Sequence, residues 1–347
     1  MSEIVKWSEI KHRYKTALIL GNGASIALHE RFNYQSLFEE AVQDDSTLKK
    51  IKPIFEHLGT TDFEYVLRML WHATWINEVL GIKEQLTRET YESLRTALIK
   101  TVKNIHPAHE GMSDQLCRIA NFMKLFQFVV SLNYDLLVYW AMQLENRQQK
   151  NRFKDCFINC GFDSDWKKFL EPYSRTDGST LVFYPHGNLA LATDINGRET
   201  KLTASDFSSL LNTVTEKWES EEYAPLFVSE GTSAQKVLAI NRSHYLKAVH
   251  GTVLPNLGSH ITIFGWSMSD KDDHILEAIC RGKVEAIAVS VMRSKSKLDD
   301  DERCREITST VRKSANGRRI EVVFFEAESL ECWQHDWGTS APSGCAA

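Results

Sequence analysis

The stretch that decides the fold is Leu18-Ile19-Leu20-Gly21-Asn22-Gly23-Ala24-Ser25. Its three apolar residues predict a short buried strand, and two glycines with a small hydroxyl residue follow at once. Such a turn lets backbone N–H groups approach a phosphate at the start of the next helix, so a side chain at Gly21 is expected to take space that a pyrophosphate needs. The alternative is a tight turn without a ligand, and the glycine pair alone favours neither interpretation.

The turn departs from the dinucleotide-binding fingerprint in two ways. Ile26 stands where the fingerprint has a third glycine or an alanine. The region around Glu39 and Glu40, where an acidic residue should end a second strand, has a helical pattern instead. The turn is therefore not that of an ordinary dehydrogenase.

Apolar, strand-like runs alternate with helical patterns along the chain. The runs are residues 16–20, 125–132, 180–184, 261–264, 286–291 and 320–325. This alternation predicts an α/β fold with a Rossmann-like, mostly parallel sheet of about six strands and helices on both faces.

Other segments add detail to this pattern. A hairpin is expected at 189–197, helices at about 241–254 and 270–281, and a solvated loop with the start of a helix at 294–307. Residues 200–235 are expected to be less regular.

The domain organisation follows from the same pattern. Residues 35–120 are dominated by amphipathic helical patterns and are interpreted as a helical insertion module lying over the cofactor edge of the sheet. Residues 1–34 and 121–330 are assigned to a Rossmann-type NAD-binding domain. Residues 331–347 are expected to be a frayed tail.

Composition limits the classes of partner. The chain has 347 residues, 43% hydrophobic and 25% charged, with a formal net charge of -5. The sequence has no basic footprint, so direct nucleic-acid binding is not expected. No apolar run is long enough for a membrane span. The first residues lack the apolar core of a signal peptide, and the seven cysteines lack zinc-ribbon spacing. We therefore expect a reduced, cytoplasmic protein without a metal site.

Polar residues follow two further strand-like runs. Ser131-Leu132-Asn133-Tyr134-Asp135 ends the second run, and Tyr184-Pro185-His186-Gly187 ends the third. Ligands bind at the carboxyl ends of parallel strands, so Asn133 is a candidate to orient a ribose or a water, and His186 is a candidate general base. The alternatives are a helix cap at Asn133 or Asp135 and a structural histidine in a turn.

A second glycine turn, Gly265-Trp266-Ser267, follows the strand at 261–264. Asp270 and Asp272 come next, and helix capping is enough to explain them. Which of these two aspartates contacts the site stays open. The glycine and the serine stand between a strand and a helix, as in the first turn.

Taken in order, GNGAS, SLNYD, HGN and FGWS resemble the SIR2-like family, which is related to the sirtuins. Lys236 and the pattern Asp272-x-His274-Ile275 add to the resemblance, which covers about residues 15–325. It implies that Asn133 and His186 are catalytic. It also implies NAD contacts at Gly21, Gly23, Ala24, Ser25, Gly265 and Ser267. We add Asn22 and Asp135 to these contacts because of their positions in the motifs.

Departures from the sirtuin pattern decide which activity the resemblance implies. The chain lacks the two-pair cysteine zinc module of the deacylases, and the residues after the first turn do not match the sirtuin loop. SIR2-like proteins with a helical insertion and no zinc module resemble NAD-cleaving effectors of bacterial anti-phage defence.

We therefore expect a regulated NAD⁺ glycohydrolase that releases nicotinamide and ADP-ribose, with water as the acceptor. A homo-oligomer and a defence partner such as an ATPase or a sensor protein are also expected. The alternatives are a non-catalytic sensor of NAD or ADP-ribose and, third, a zinc-free NAD-dependent deacylase.

Overall fold

The computed structural model describes residues 3–33, 40–41, 46–60, 63–83, 85–107, 109–148, 152–170, 179–194, 196–204, 210–220, 222–228 and 231–335. Its thirteen described strands are β1 (Ile4–Val5), β2 (Ala17–Leu20), β3 (Phe128–Ser131), β4 (Phe153–Lys154), β5 (Phe157–Ile158), β6 (Gly161–Phe162), β7 (Thr180–Phe183), β8 (Gly187–Asp194), β9 (Glu199–Lys201), β10 (Tyr223–Phe227), β11 (His260–Phe264), β12 (Ala286–Val291) and β13 (Glu321–Glu326).

An eight-stranded sheet forms the centre of the fold, in the order β1-β13-β12-β11-β2-β3-β7-β4. Every described pairing in it is parallel. All residues of β2, β3 and β7 are buried, as expected for strands covered on both faces, and this explains their continuous apolar sequences. The predicted α/β fold is confirmed, and all six predicted strands lie in this sheet.

Two short strands extend the sheet beyond the prediction. β1 pairs with β13 at one edge and β4 pairs with β7 at the other. Each has two residues, which is too short to give a periodic pattern in the sequence.

The described α-helices pack around the strands. They are α1 (Trp7–Ile10), α2 (Asn22–Ile26), α3 (Ser46–Leu58), α4 (Phe63–Val79), α5 (Leu86–Ile105), α6 (Ser113–Met123), α7 (Leu137–Gln148), α8 (Leu210–Glu219), α9 (Ser233–Arg242), α10 (His244–Ala248), α11 (Asp273–Cys280) and α12 (Lys297–Ser314). None of the helices in the described ranges has the length and apolar character needed to cross a membrane.

The predicted helical block between the first two central strands is present as α3, α4, α5 and α6. Residues 35–39, 42–45, 61–62, 84 and 108 of the predicted module lie outside the described ranges. The block contacts α9, since Gln235 Nε2 donates to the Gly59 carbonyl at 2.7 Å. The Arg242 guanidinium lies 5.2 Å from the centroid of the Tyr65 ring.

A second, antiparallel sheet has the order β10-β8-β9-β6-β5. The hairpin predicted at 189–197 is confirmed as β8 and β9. In the segment expected to be irregular, the structure instead places α8 and β10, and β10 pairs with β8. β10 was missed because its sequence, YAPLF, contains a proline and lacks a clear alternation of polar and apolar residues.

Two helical predictions need correction. The helix expected at 241–254 begins earlier, as α9, at Ser233, where Thr232 caps it. It is interrupted at Ser243, which caps the next helix, α10. The segment 294–307 is mostly helical, because α12 runs for 18 residues from Lys297.

The expectation of a frayed tail is wrong for its first residues. Trp333 is buried, and its indole Nε1 donates to the Ala24 carbonyl at 2.9 Å. Gln334 donates to the Ala27 carbonyl in the same region. The chain after β13 therefore covers α2, while residues 336–347 of the predicted tail lie outside the described ranges.

The described cysteines largely agree with the expectation of reduced thiols. Cys156, Cys160, Cys280, Cys304 and Cys332 are free. Cys117 is disulfide-bonded, so the expectation does not hold at that position.

Candidate functional site

The two glycine turns pack directly on each other at the carboxyl edge of the parallel sheet. β2 lies between β11 and β3, and Leu20 is in register with Phe264 on one side and Ser131 on the other. Gly21 N donates to the Phe264 carbonyl at 3.0 Å, and Gly23 N donates to the Gly265 carbonyl at 2.8 Å.

This contact explains why the turns need glycine. A Cβ at Gly21 would lie 2.5 Å from the Cα of Trp266, and one at Gly23 would lie 2.8 Å from the Gly265 carbonyl oxygen. Gly265 has a φ of +67°, and a Cβ there would lie 2.3 Å from the Ala24 nitrogen. The space beside Gly21, which the sequence analysis assigned to a pyrophosphate, is occupied by Trp266.

The sheet reverses its direction of winding at this point. From β2 the chain progresses to β3 and β7 on one side, and β11 leads to β12 and β13 on the other. In open α/β sheets, the crevice outside the carboxyl ends of the strands at such a reversal is the usual place for a ligand.

A cleft of about 780 Å³ opens at this reversal. Gly23, Gly265 and Ser267 line one side of it, so the structure brings together three of the predicted cofactor contacts. The other side includes residues of α12 and of the segment after β13, namely Arg303, Glu306, Ile307, Thr310, Ala327 and Glu328.

Trp266 supplies an unpartnered donor in the wall of the cleft. Its indole Nε1 is buried and has no hydrogen-bond partner among the described residues. A buried donor without a partner is uncommon in folded proteins, and this one is enclosed rather than open to the cleft.

Asn133 points toward the first glycine turn. Its Nδ2 donates to the Gly21 carbonyl at 3.0 Å and to Ser25 Oγ at 2.8 Å. Ser25 Oγ in turn donates to Asp135 Oδ2 at 2.5 Å. Asn133, Ser25 and Asp135 are all buried, so the three side chains form one enclosed polar network.

Asp135 contacts the start of the following helix, as the capping alternative predicts, and it also contacts Ser25. Its Oδ1 accepts from the Leu137 N–H at 2.9 Å, at the start of α7, and its Oδ2 belongs to the network with Ser25. Burial raises the pKa of Asp135 to about 6, although the hydrogen bonds from Ser25 and Leu137 lower it in part. This carboxyl group therefore titrates close to neutral pH.

His186 lies in the tight turn between the two sheets. The Gly187 N–H donates to the Tyr184 carbonyl at 2.9 Å, and Gly187 has a φ of +78°. A Cβ at Gly187 would lie 2.2 Å from the Leu226 carbonyl oxygen, so this glycine is required by the packing of β8 against β10.

The His186 ring is buried between Leu132 and His274. A hydrogen bond to the backbone of Leu132 favours the charged ring, and Nε2 lies 3.0 Å from Nε2 of His274. The ring is thus beside Leu132, which precedes Asn133, but it contacts a different set of side chains from Asn133.

Those side chains form a second cluster, which we call the His–Asp cluster: His186, His274, Asp272, Lys236 and Ser233. Lys236 Nζ lies 2.7 Å from Asp272 Oδ1, and that oxygen lies 3.8 Å from His186 Nε2. His274 Nδ1 lies 3.1 Å from Ser233 Oγ. Asp272, rather than Asp270, is therefore the aspartate that contacts the candidate site.

Burial and charge set the protonation of the His–Asp cluster. Burial, followed by the charge of Lys236, lowers the pKa of His186 to about 4. Burial, followed by the charge of His186, lowers the pKa of His274 to about 3. Burial alone would raise the pKa of Asp272, but His186 and Lys236 outweigh it and the net pKa is lowered. Both imidazoles are neutral at pH 7 beside an ionised carboxylate.

Five of the eight predicted contacts do not line the cleft: Gly21, Asn22, Ala24, Ser25 and Asp135. Asn22 Nδ2 donates to the Phe32 carbonyl at 3.3 Å, and Ala24 is buried under Trp333. The sequence analysis did not assign roles to Ser233 or α12, which are distant along the chain from the four motifs. Lys236, Asp272 and His274 carried a signal only through the resemblance.

The fold and site define an α/β protein with a parallel sheet and a ligand-sized cleft at its topological switch point. The chain belongs to the family described as "Domain of unknown function (DUF4917)", which matches residues 18–333. No curated protein matches the sequence. The matched residues include both glycine turns, Asn133 and the His–Asp cluster.

Proposed function

We propose that this protein is an NAD⁺ glycohydrolase that cleaves NAD to nicotinamide and ADP-ribose. The observation that supports it most is the position of the cleft at the reversal of the sheet, with Gly23 in its wall. Gly21 and Ser25, on either side of Gly23, accept hydrogen bonds from the side-chain amide of Asn133. A dinucleotide in the cleft would thus extend toward Asn133.

The cleft has the size and chemistry expected for the ADP-ribose part of the substrate. Its volume of about 780 Å³ is within the range of small-molecule sites. The Ser267 hydroxyl offers a hydrogen bond to ribose or phosphate oxygens. Arg303 supplies a positive charge at the same cleft, and the negative charges of Glu306 and Glu328 restrict where the pyrophosphate can lie.

Asn133 and His186 would act on the nicotinamide ribose. Cleavage of this N-glycosidic bond passes through an oxocarbenium-like centre, which needs a fixed ribose and a placed water more than a strong nucleophile. In our proposal, the Asn133 amide exchanges its contact with Ser25 for the ribose and the water. His186 accepts a proton from a ribose hydroxyl or from the water, a role worth about 10²–10⁴-fold in rate.

His186 has the neutral ring that this role requires. Its Nε2 faces His274, so a substrate hydroxyl must replace that contact. A pKa of about 4 makes the ring a weak base. We therefore assign most of the rate enhancement to the fixed geometry and a smaller part to proton transfer.

The sensor alternative uses the same cleft without chemistry. Binding alone requires neither Asn133 nor His186, and their placement at the ends of neighbouring strands β3 and β7 favours the enzyme. A zinc-free deacylase is the third candidate, and it would need an acylated peptide to reach the His186 side of the site.

The biological setting is part of the proposal. Uncontrolled NAD cleavage is toxic, so we propose a cytoplasmic anti-phage defence effector that is regulated by assembly or by a partner such as an ATPase or a sensor protein. An exposed apolar surface at the end of α4 supports homo-oligomerisation: Trp75 is 61% exposed and Val79 is 76% exposed, with Ile76 and Leu80 beside them. Size-exclusion chromatography tests this surface with a Val79→Glu variant. If the wild type is an oligomer and the variant elutes at the same size, the surface is not used for assembly.

The deciding experiment incubates purified protein with NAD and measures nicotinamide and ADP-ribose by chromatography, with and without an acylated peptide. Equal amounts of both products without peptide support the glycohydrolase. Saturable NAD binding without products supports the sensor, and product that appears only with the peptide supports the deacylase. A mock purification that lacks the protein is the control for contaminating activity.

A further inference from the structure

The His–Asp cluster has the composition of a transition-metal site. One nitrogen each from His186 and His274 and one carboxylate oxygen of Asp272 all lie within 4.8 Å of one another. The two histidine Nε2 atoms are 3.0 Å apart, and Asp272 Oδ1 lies 3.8 Å from Nε2 of His186. Zinc–nitrogen bonds of about 2.0–2.1 Å fit ligand atoms separated by about 3–4 Å.

Each histidine also has the second contact that metal-binding imidazoles need. The backbone of Leu132 bonds the His186 ring, and Ser233 Oγ lies 3.1 Å from His274 Nδ1. Such contacts fix the ring orientation and select the nitrogen that is left for the metal. The two imidazoles are therefore held with their Nε2 atoms 3.0 Å apart.

Ser233 allows both protonation patterns of His274. Its oxygen accepts from the His274 backbone N–H at 3.2 Å and still has its own proton to place. If Ser233 donates to Nδ1, then Nε2 of His274 carries the proton and donates to His186. If Ser233 accepts from Nδ1, both Nε2 atoms present lone pairs, which is the arrangement that binds a metal.

We propose that His186, His274 and Asp272 bind one first-row transition-metal dication, with Zn²⁺ as the experimental probe. We also propose that the ion inhibits the protein, because it occupies the nitrogen of His186 that would accept a proton. The inhibitory part rests on the proposed function, whereas the binding part does not.

Lys236 sets the affinity of this site. Its ammonium group is buried and lies 2.7 Å from Asp272 Oδ1, so it competes with the ion for the carboxylate and repels a second cation. Lys236→Met removes this competition and leaves Asp272 without a counterion. We expect Zn²⁺ to bind at least tenfold more tightly to this variant than to the wild type.

The first test is a calorimetric titration of the full chain with Zn²⁺ and, separately, with Mg²⁺, which prefers oxygen ligands. The expected result is one Zn²⁺ bound per chain and no detectable Mg²⁺ binding. His274→Ala and Asp272→Asn should each weaken Zn²⁺ binding by more than tenfold, and Ser233→Ala by about tenfold. His57→Ala, at an exposed histidine in α3, is the matched control and should not change the affinity.

Two results of the titration would overturn the site. One is equal Zn²⁺ affinity in the wild type, His274→Ala and Asp272→Asn. The other is unchanged or weaker binding in Lys236→Met, which would show that the ion does not lie at Asp272. A thermal melt of each variant establishes that it is folded before the titration is interpreted.

The second test adds one equivalent of Zn²⁺ to the NAD cleavage assay. Loss of more than 90% of the activity, restored by a chelator, supports inhibition at His186. Full activity with a saturated site overturns the inhibitory part alone. If the protein cleaves no NAD under any condition, the proposed function fails, and the titration still decides the metal site.

Discussion

Asn133 Nδ2 lies 2.8 Å from Ser25 Oγ, and this bond joins two residues that are 108 positions apart in the sequence. Ser25 Oγ in turn donates a hydrogen bond to Asp135, which lies two residues beyond Asn133. The bond thus ties the loop after β3 to α2, next to Gly23 in the wall of the cleft. A substrate that recruits Asn133 must exchange this bond, which couples the occupation of the cleft to the polar network.

Asn133→Ala and His186→Ala are expected to abolish NAD cleavage while the protein stays folded and still binds NAD weakly. Asn133→Ala leaves Ser25 and the Gly21 carbonyl short of a donor, which costs about 1–3 kcal/mol of stability. The double variant should lose little more activity than either single variant, because the two residues act on one transition state. The measurement is a thermal melt beside an NAD depletion assay.

The alternative interpretation gives a different result for these variants. If Asn133 and His186 are only structural, each alanine should cost about 1 kcal/mol and leave most of the activity. Full activity in one variant removes that residue from the catalytic pair.

Gly21→Ala is expected to destabilise the protein by about 1–3 kcal/mol, because the new Cβ overlaps the backbone of the Gly265–Trp266 turn. Gly21→Val should cost more, so lost NAD binding in that variant reports a displaced turn rather than a blocked pyrophosphate. Gly251→Ala is the matched control, since nothing lies within 4 Å of the added Cβ. Urea denaturation measures all three, and equal stability of Gly21→Ala and the wild type would contradict the close packing.

Asp135→Asn is expected to change how stability depends on pH. The folded-state pKa of Asp135 is raised to about 6 from 3.8, so the folded form favours the protonated acid and the wild type loses stability as the pH rises from about 4 through 6. The shift corresponds to about 3 kcal/mol between pH 4 and pH 7 for this buried group.

Urea denaturation at several pH values compares the two proteins. The wild type should become less stable relative to Asp135→Asn by up to that amount as the pH rises. Parallel pH profiles of the two proteins would show that Asp135 does not titrate in this range.

Thr310→Trp is expected to weaken NAD binding at least tenfold, because it places a large side chain from α12 into the cleft. Ser309→Trp, at the neighbouring exposed position outside the lining of the cleft, is the matched control. Calorimetry with NAD measures both, and equal affinities would mean that NAD does not occupy this cleft.

Local sequence patterns were sufficient to predict the six central strands and the edge of the sheet where the polar motifs meet. Runs such as Ala17–Leu20 are apolar throughout because both faces of a parallel strand are covered, and this pattern is local. The same reasoning placed Asn133, His186 and the two glycine turns at one edge, since each directly follows a strand. It could not find two-residue strands such as β1, whose position depends on pairing with β13.

Tertiary structure alone decided which of these residues touch. Gly21 and Gly265 are glycines because two turns from distant parts of the chain pack backbone to backbone, a contact that no local pattern encodes. Packing also gave Asn133 the partners Gly21 and Ser25, and it gave His186 the partners His274 and Asp272. The physical reason is that burial and hydrogen bonding depend on all neighbours in space, whereas periodicity and spacing report only on neighbours along the chain.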